Sequence, residues 1–227
     1  PEQGRSQIKP KEKKRRFCTQ KCLLGLRRRS TLDDNCPNVA LHRGEDNSKF
    51  HLTNTTGLIR LLKDQLDRDV NCIKPMAGCG SAGAPFKITC ERFGYTVVGK
   101  GTTCYVWPQV SAEEDVYRVL ASLQGSVVPV FLGKIDLEKS YFLLEVGDVR
   151  HMLLMSYGGD TIMAADIDPW VRDEKVEEAV ASISSLGVRH RDLHSANILW
   201  NKELREVMII DFNLSELSPE VATKKKR

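Results

Sequence analysis

Apolar positions between Leu58 and Leu66 (Leu58, Ile59, Leu61, Leu62, Leu66) recur at helical spacing, behind Asn54-Thr55-Thr56, which can cap a helix. After Ile73 the rhythm becomes strand-like. Phe86-Lys87-Ile88-Thr89-Cys90 and Tyr95-Thr96-Val97-Val98 are short β-rich runs separated by Glu91-Arg92-Phe93-Gly94. Ala112 to Leu123 reads as a helix with Val116, Leu120 and Leu123 on one side. Val127 to Leu132, Tyr141 to Val146 and His151 to Met155 read as further strands, and residues 172–186 as an amphipathic helix. Ile198-Leu199-Trp200, a polar turn at Asn201-Lys202-Glu203, and Val207-Met208-Ile209-Ile210 predict a short hairpin. The pattern divides the chain into a disordered basic tail (1–16), a small Cys/His segment (17–43), a linker and helix (44–70), a strand-rich unit (71–155), a smaller unit (156–217) and a basic tail (218–227).

Length and composition fit this division. The 227 residues suffice for one or two domains with a real core, and 41% hydrophobic with 28% charged residues is ordinary for a globular protein. No apolar run approaches the roughly 20 residues that span a bilayer, so no membrane partner is expected. No signal pattern is visible, and the chain starts at Pro1, which leaves an upstream segment open. The net charge of +4 conceals an asymmetry: residues 1–30 carry net +9, residues 224–227 carry +4, and the middle carries −9. Such tails are usually solvated. Lys11-Glu12-Lys13-Lys14-Arg15-Arg16 also suits a nuclear-localisation or nucleic-acid patch, but no interleaved aromatics support base stacking, so a nucleic-acid partner is not expected. Seven cysteines without a sign of secretion predict reduced thiols in a cytosolic or nuclear compartment.

The densest chemistry lies in His190-Arg191-Asp192-Leu193-His194-Ser195-Ala196-Asn197 and Asp211-Phe212-Asn213. Asp192 and Asn197 are five apart, Asp211 follows Asp192 by nineteen, and the predicted hairpin lies between. This spacing can place a base and two oxygen ligands for Mg²⁺ around one phosphate. Gly78-Cys79-Gly80-Ser81-Ala82-Gly83 fits G-x-G-x-x-G. A strand follows it rather than a helix, which favours a phosphate loop over a dinucleotide fold, with an ordinary Gly-rich turn as the alternative. Val97-Val98-Gly99-Lys100 is an apolar strand ending in an inward Lys, which needs a partner because a buried unpaired ammonium is costly. Glu113 and Glu114 open the next helix, but they point about 100° apart, so only one can face Lys100.

With these motifs, residues from about 70 to 217 resemble the protein-kinase-like superfamily, in particular domains found in many fungal proteomes. The resemblance implies an α+β two-lobed fold: an antiparallel β N-lobe over 71–155 and a truncated, mainly α C-lobe over 156–217. It implies ATP and Mg²⁺ as cofactors, with Gly78, Gly80 and Gly83 around the phosphates. Lys100 would grip the α/β-phosphates, and Tyr117, four residues on, picks out Glu113 as its partner. Asp192 would be the base, and Asn197 and Asp211 the Mg²⁺ ligands. Met155 would abut the adenine and the Ser156–Tyr157 backbone would hydrogen-bond it. His190 is expected to pack the loop and Arg191 to pair with a phosphate or an acid. The implied function is transfer of the γ-phosphate to a hydroxyl acceptor, protein or small molecule, that the sequence does not name. The alternative is a pseudokinase-type binding module without transfer.

The chain departs from the pattern in three places. Asn213 stands where Gly is usual, although Asn tolerates left-handed backbone. His194 stands where Ser/Thr kinases commonly carry Lys. Sixteen residues follow Asp211, which leaves room only for a truncated or minimal C-lobe.

The N-terminal cysteines form a separate pattern. Cys18-x₃-Cys22-x₁₃-Cys36-x₅-His42 is compatible with a Cys₃His zinc site, the first pair on one helical turn, and equally with buried free thiols. His51 is a substitute for His42. Cys72, Cys79, Cys90 and Cys104 sit singly and read as structural.

Overall fold

The structure, a computed structural model, describes residues 15–45, 47–70, 73–76, 80 and 82–225. In chain order the elements are α1 (Gln20–Arg28), α2 (Val39–Arg43), α3 (Thr55–Arg68), β1 (Lys74–Pro75), β2 (Ala84–Thr89), β3 (Thr96–Thr102), α4 (Trp107–Ser111), α5 (Glu113–Val119), β4 (Phe131–Leu143), β5 (Gly147–Met155), β6 (Asp160–Thr161), α6 (Pro169–Ser185), β7 (Val188–Arg189), β8 (Ile198–Asn201), β9 (Glu206–Ile209), β10 (Glu216–Leu217) and α7 (Pro219–Lys225). The fold is mixed α+β. Among the described residues the strands form three sheets in which every pairing between strands is antiparallel: β1-β2-β3-β5-β4, β6-β8-β9 and β7-β10.

Local chemistry explains most of these elements. The Asn54 side chain accepts the Gly57 N–H and starts α3, which then buries Leu58, Leu62 and Leu66. β2 alternates buried and half-buried residues along its length, as a strand with one face on a core must. α3 lies across β4 so closely that a Cβ on Gly133 would sit 2.5 Å from Ile59 Cδ1, and Gly133 has φ +142°. Leu58, Leu62 and Leu66 join Phe86, Ile88, Val97, Ile135 and Met152 in one core. A second core gathers Tyr117, Leu153, Ile183, Ile198, Ile209 and Phe212 where the large sheet meets the C-terminal elements.

Several expected boundaries move. The helix expected over Ala112 to Leu123 is two short helices, α4 and α5. It starts earlier because Pro108 suits a first helical turn. It stops earlier because the buried Gln124 amide donates to Tyr117 O and accepts from Phe131 N, replacing the next helical turn. The strand expected from Val127 begins only at Phe131, and the turn at 144–146 divides β4 from β5. The Cys/His segment packs on the rest of the fold, with Leu23 and Leu26 in the first core beside α3 and the sheet. Residues 1–14 of the expected tail lie outside the described residues, and the C-terminal tail is helical over α7. Among the described residues, no helix is long and apolar enough to cross a membrane.

Candidate functional site

Lys100 stands on β3 between its neighbours Pro85 on β2 and Leu153 on β5. Its ammonium donates to Glu113 Oε1 and, at 2.6 Å, to Asp211 Oδ1. Glu113 is fully buried. Burial works against the Lys100 cation, but Glu113 and then Asp211 outweigh it, so its pKa lies above the ordinary lysine value. Burial raises the Glu113 pKa, and Lys100 holds that rise back. Glu114, one position on, points away and pairs with Arg118 and Lys134. Phe212 packs against Tyr117 of α5 at 5.5 Å and against His190 at 4.9 Å. It thereby ties the Glu113 helix to the 190s loop.

The expected hairpin forms as β8 and β9, with Ile198 opposite Ile209. Ile210 N donates to Asn197 O at 3.0 Å, so Asn197 and Asp211 flank its open end. The Asn197 amide nitrogen donates to Asp192 O at 2.9 Å and lies 3.2 Å from His194 Nε2. His194 also lies 3.7 Å from Asp192 Oδ2. His190 accepts from Asp192 N and donates to Ile210 O at 2.8 Å, a packing role. Arg191 pairs with Glu216. Both Arg191 (φ 68°) and Asp211 (φ 67°) are in the left-handed region. The expected site of that geometry, Asn213, is not among these residues. The strain falls on Asp211 itself and turns its carboxylate back to Lys100.

Of the glycine loop, Gly78 and Cys79 lie outside the described residues. Gly80 and Gly83 bond each other reciprocally, at 2.9 and 3.2 Å, in a tight turn. A Cβ on Gly83 (φ +144°) would meet the Gly101 carbonyl oxygen at 2.3 Å, so the loop doubles back onto β3.

Met155 is buried at the end of β5, with the Tyr117 hydroxyl 3.7 Å from its sulfur. The Ser156 N–H donates to Val130 O, and the Tyr157 carbonyl accepts from Gln20 Nε2 at 2.7 Å. The Tyr157 ring faces the N-terminal segment: Phe17 stacks on it at 4.3 Å, and its hydroxyl donates to Asp160. A cavity of about 380 Å³ lies on that side, lined by Arg16, Phe17, Lys87, Tyr157 and Lys202 among others, apart from the Lys100 cluster. Buried Gln20 is thus a site-bordering residue that sequence spacing could not reveal, since its partners lie 136 and 137 residues away.

The Cys/His cluster converges as its spacing predicts. Ligand atoms of Cys18, Cys22, Cys36 and His42 all lie within 4.8 Å of one another, and all four residues are buried, so the group could hold a metal ion such as zinc. Cys18 precedes α1 rather than sharing its turn with Cys22: Thr19 is the cap, accepting from Cys22 N and donating to Asp33. His42 Nδ1 donates to Phe93 O at 2.8 Å, which turns Nε2 toward Cys18 and Cys36, each 3.4 Å away. Its ring stacks on Tyr95 at 3.9 Å. A backbone acceptor behind a ligand imidazole is the usual means of orienting it. Contacts with Cys18 and Cys36 push the Cys22 thiol far up, whereas hydrogen bonds from Cys18, Cys22 and His42 hold the Cys36 thiol down. Mutual repulsion thus keeps protons on Cys18 and Cys22, and only a cation among the three sulfurs would let all of them ionise together.

His51, the expected substitute, bonds the Tyr95 hydroxyl at 2.7 Å instead. Burial, then His42, lowers its pKa to about 4. Cys90 is buried, as a structural cysteine should be, but Cys104 is exposed and contacts His151. Cys72 lies outside the described residues.

No family model matches the chain. Over 214 residues, 90% of its length, the chain is 39% identical to the protein "Meiotic driver SPOK2" of Podospora anserina. It spans about a quarter (26%) of that relative's length. These findings correct the resemblance drawn from the motifs: the similarity is to a meiotic driver, and no protein-kinase-like family is named by either comparison.

Proposed function

We propose that the chain carries an ATP- and Mg²⁺-dependent phosphotransferase site between the large sheet and the C-terminal unit, which serve as its two lobes. The single observation behind this reading is the Lys100 ammonium held jointly by Glu113 and Asp211. A fully buried carboxylate, a lysine and a strained aspartate, drawn from three segments, cost stability that packing alone does not require. The donor set suits the cofactors. Asp211 and Asn197 offer hard oxygens for Mg²⁺. The engaged Asn197 nitrogen leaves its amide oxygen for the ion. Lys100 and the Gly80–Gly83 turn would hold phosphate oxygens, and Mg²⁺ would neutralise their charge. Asp192 would orient the acceptor hydroxyl and take its proton. Titration of wild type with ATP, with and without Mg²⁺, tests the site against a Lys100→Ala, Asp211→Ala double variant. Equal absence of binding in both proteins would sink the reading.

A second reading, a nucleotide-binding module without transfer, is favoured by His194 beside Asp192 where a fixed lysine would otherwise neutralise the moving phosphate. Radiolabelled transfer that disappears in Asp192→Asn excludes it.

For the Cys₃His group we propose zinc, on the ligand chemistry. Elemental analysis should find about one equivalent, and a clearly substoichiometric content removes the assignment. Similarity to a meiotic driver supports reading this unit as one working part of a larger drive protein. The basic termini suit the cytosol or nucleus.

A further inference from the structure

Three strands of the large sheet bring Cys104, His151 and Asp136 into line. Thr102 of β3 is opposite His151 of β5, and His151 is opposite Asp136 of β4. Cys104 follows two residues after Thr102. Its sulfur lies 3.3 Å from His151 Nε2, and His151 Nδ1 lies 2.6 Å from Asp136 Oδ1. A carboxylate can only accept, so Nδ1 carries a proton, and Nε2 of the neutral ring is left to accept the thiol hydrogen. Trp107 stacks flat on the imidazole at 4.6 Å and 7°, holding the ring in this plane.

Two simpler roles do not fit. Packing does not explain the thiol, because Cys104 is exposed and Tyr105 beside it is 93% exposed. A metal site does not explain the array, because the imidazole lies between the other two groups with a different nitrogen toward each, so the three cannot converge on one ion.

We propose that Cys104 is an activated thiol that undergoes exchange with low-molecular-weight disulfides, with His151 as its base and Asp136 as the positioning residue. His151 Nε2 takes the thiol proton, and the Cys104 sulfur attacks one sulfur of the disulfide. A new Cys104 S–S bond forms, the old S–S bond breaks, and the departing thiolate takes the proton from His151. Cys104 is oxidised and half of the disulfide is reduced. The negative charge develops on the leaving sulfur, so no separate oxyanion donors are needed.

Peptide-resolved mass spectrometry of the full chain tests the site, with iodoacetamide and oxidised glutathione as probes. Cys104 should label at least about tenfold faster in wild type than in His151→Ala or the bulkier His151→Gln. Asp136→Ala should slow it severalfold, with recovery in Asp136→Glu, which a merely structural aspartate would not give. Oxidised glutathione should form a mixed disulfide at Cys104. Labelling within twofold of wild type in a folded His151 variant, as judged by an unchanged melting midpoint, overturns the proposal. So does the absence of a mixed disulfide while iodoacetamide still reacts.

Discussion

Lys100 Nζ and Asp211 Oδ1 are 2.6 Å apart although 111 residues separate them in the chain. The contact joins the middle of the large sheet to the end of the C-terminal hairpin, and Glu113 completes it from α5. Lys100→Ala should leave the buried Glu113 carboxylate without its counter-charge and cost about 3–5 kcal/mol. Adding Glu113→Ala should recover part of that loss. Denaturant unfolding of the two variants measures both effects, and strict additivity would show that the pair is not coupled.

The Cys/His group should hold the N-terminal segment to the sheet. Structural zinc sites bind with roughly 10–16 kcal/mol in small peptides, so Cys36→Ser or His42→Ala should release metal and lower the melting temperature sharply. His51→Ala should retain the metal, because His51 serves Tyr95. Metal content beside a thermal melt distinguishes them, and metal loss from His51→Ala would reassign the fourth ligand.

Gly133 permits the close approach of α3 to β4. Gly133→Ala puts a methyl 2.5 Å from Ile59 Cδ1 at a φ of +142° and should cost about 1–3 kcal/mol. Shortening the neighbour with Ile59→Val should relieve the clash but not the backbone strain. A double-mutant cycle in urea reads the two contributions separately.

Asp160 offers a pH readout on the Tyr157 side. Hydrogen bonds from Lys202 and then Tyr157 hold its pKa below the ordinary 3.8. A carboxylate depressed in the folded state contributes stability above its unfolded pKa and loses it as pH falls through the folded value. The loss therefore belongs below about pH 4, and it should be small because the side chain is 46% exposed. Carboxyl NMR titration should show the Asp160 pKa rising in Lys202→Ala. An unmoved value removes Lys202 as the cause.

Much of the fold was legible where the information is local. Asn54 ahead of Leu58, Leu62 and Leu66 announces α3, and the β8–β9 hairpin carries its own turn. Misreadings occurred where a distant partner decides. The expected helix past Val119 fails because Gln124 finds Phe131. Cys104 read as a solitary structural thiol because His151 lies 47 residues away in the chain and Asp136 a further 15 residues from His151. The kinase-like resemblance, drawn from motif spacing, was not matched by whole-chain similarity.

The sequence by itself determined the periodicities, the caps and the spacing of Asp192, Asn197 and Asp211, because each depends on residues a few positions apart. The tertiary structure alone decided that Asp211 turns back to Lys100, that His42 rather than His51 faces the cysteines, and that Cys104 meets His151. Those contacts follow from antiparallel register and from burial between elements, which place one side chain beside another only after the sheet has closed.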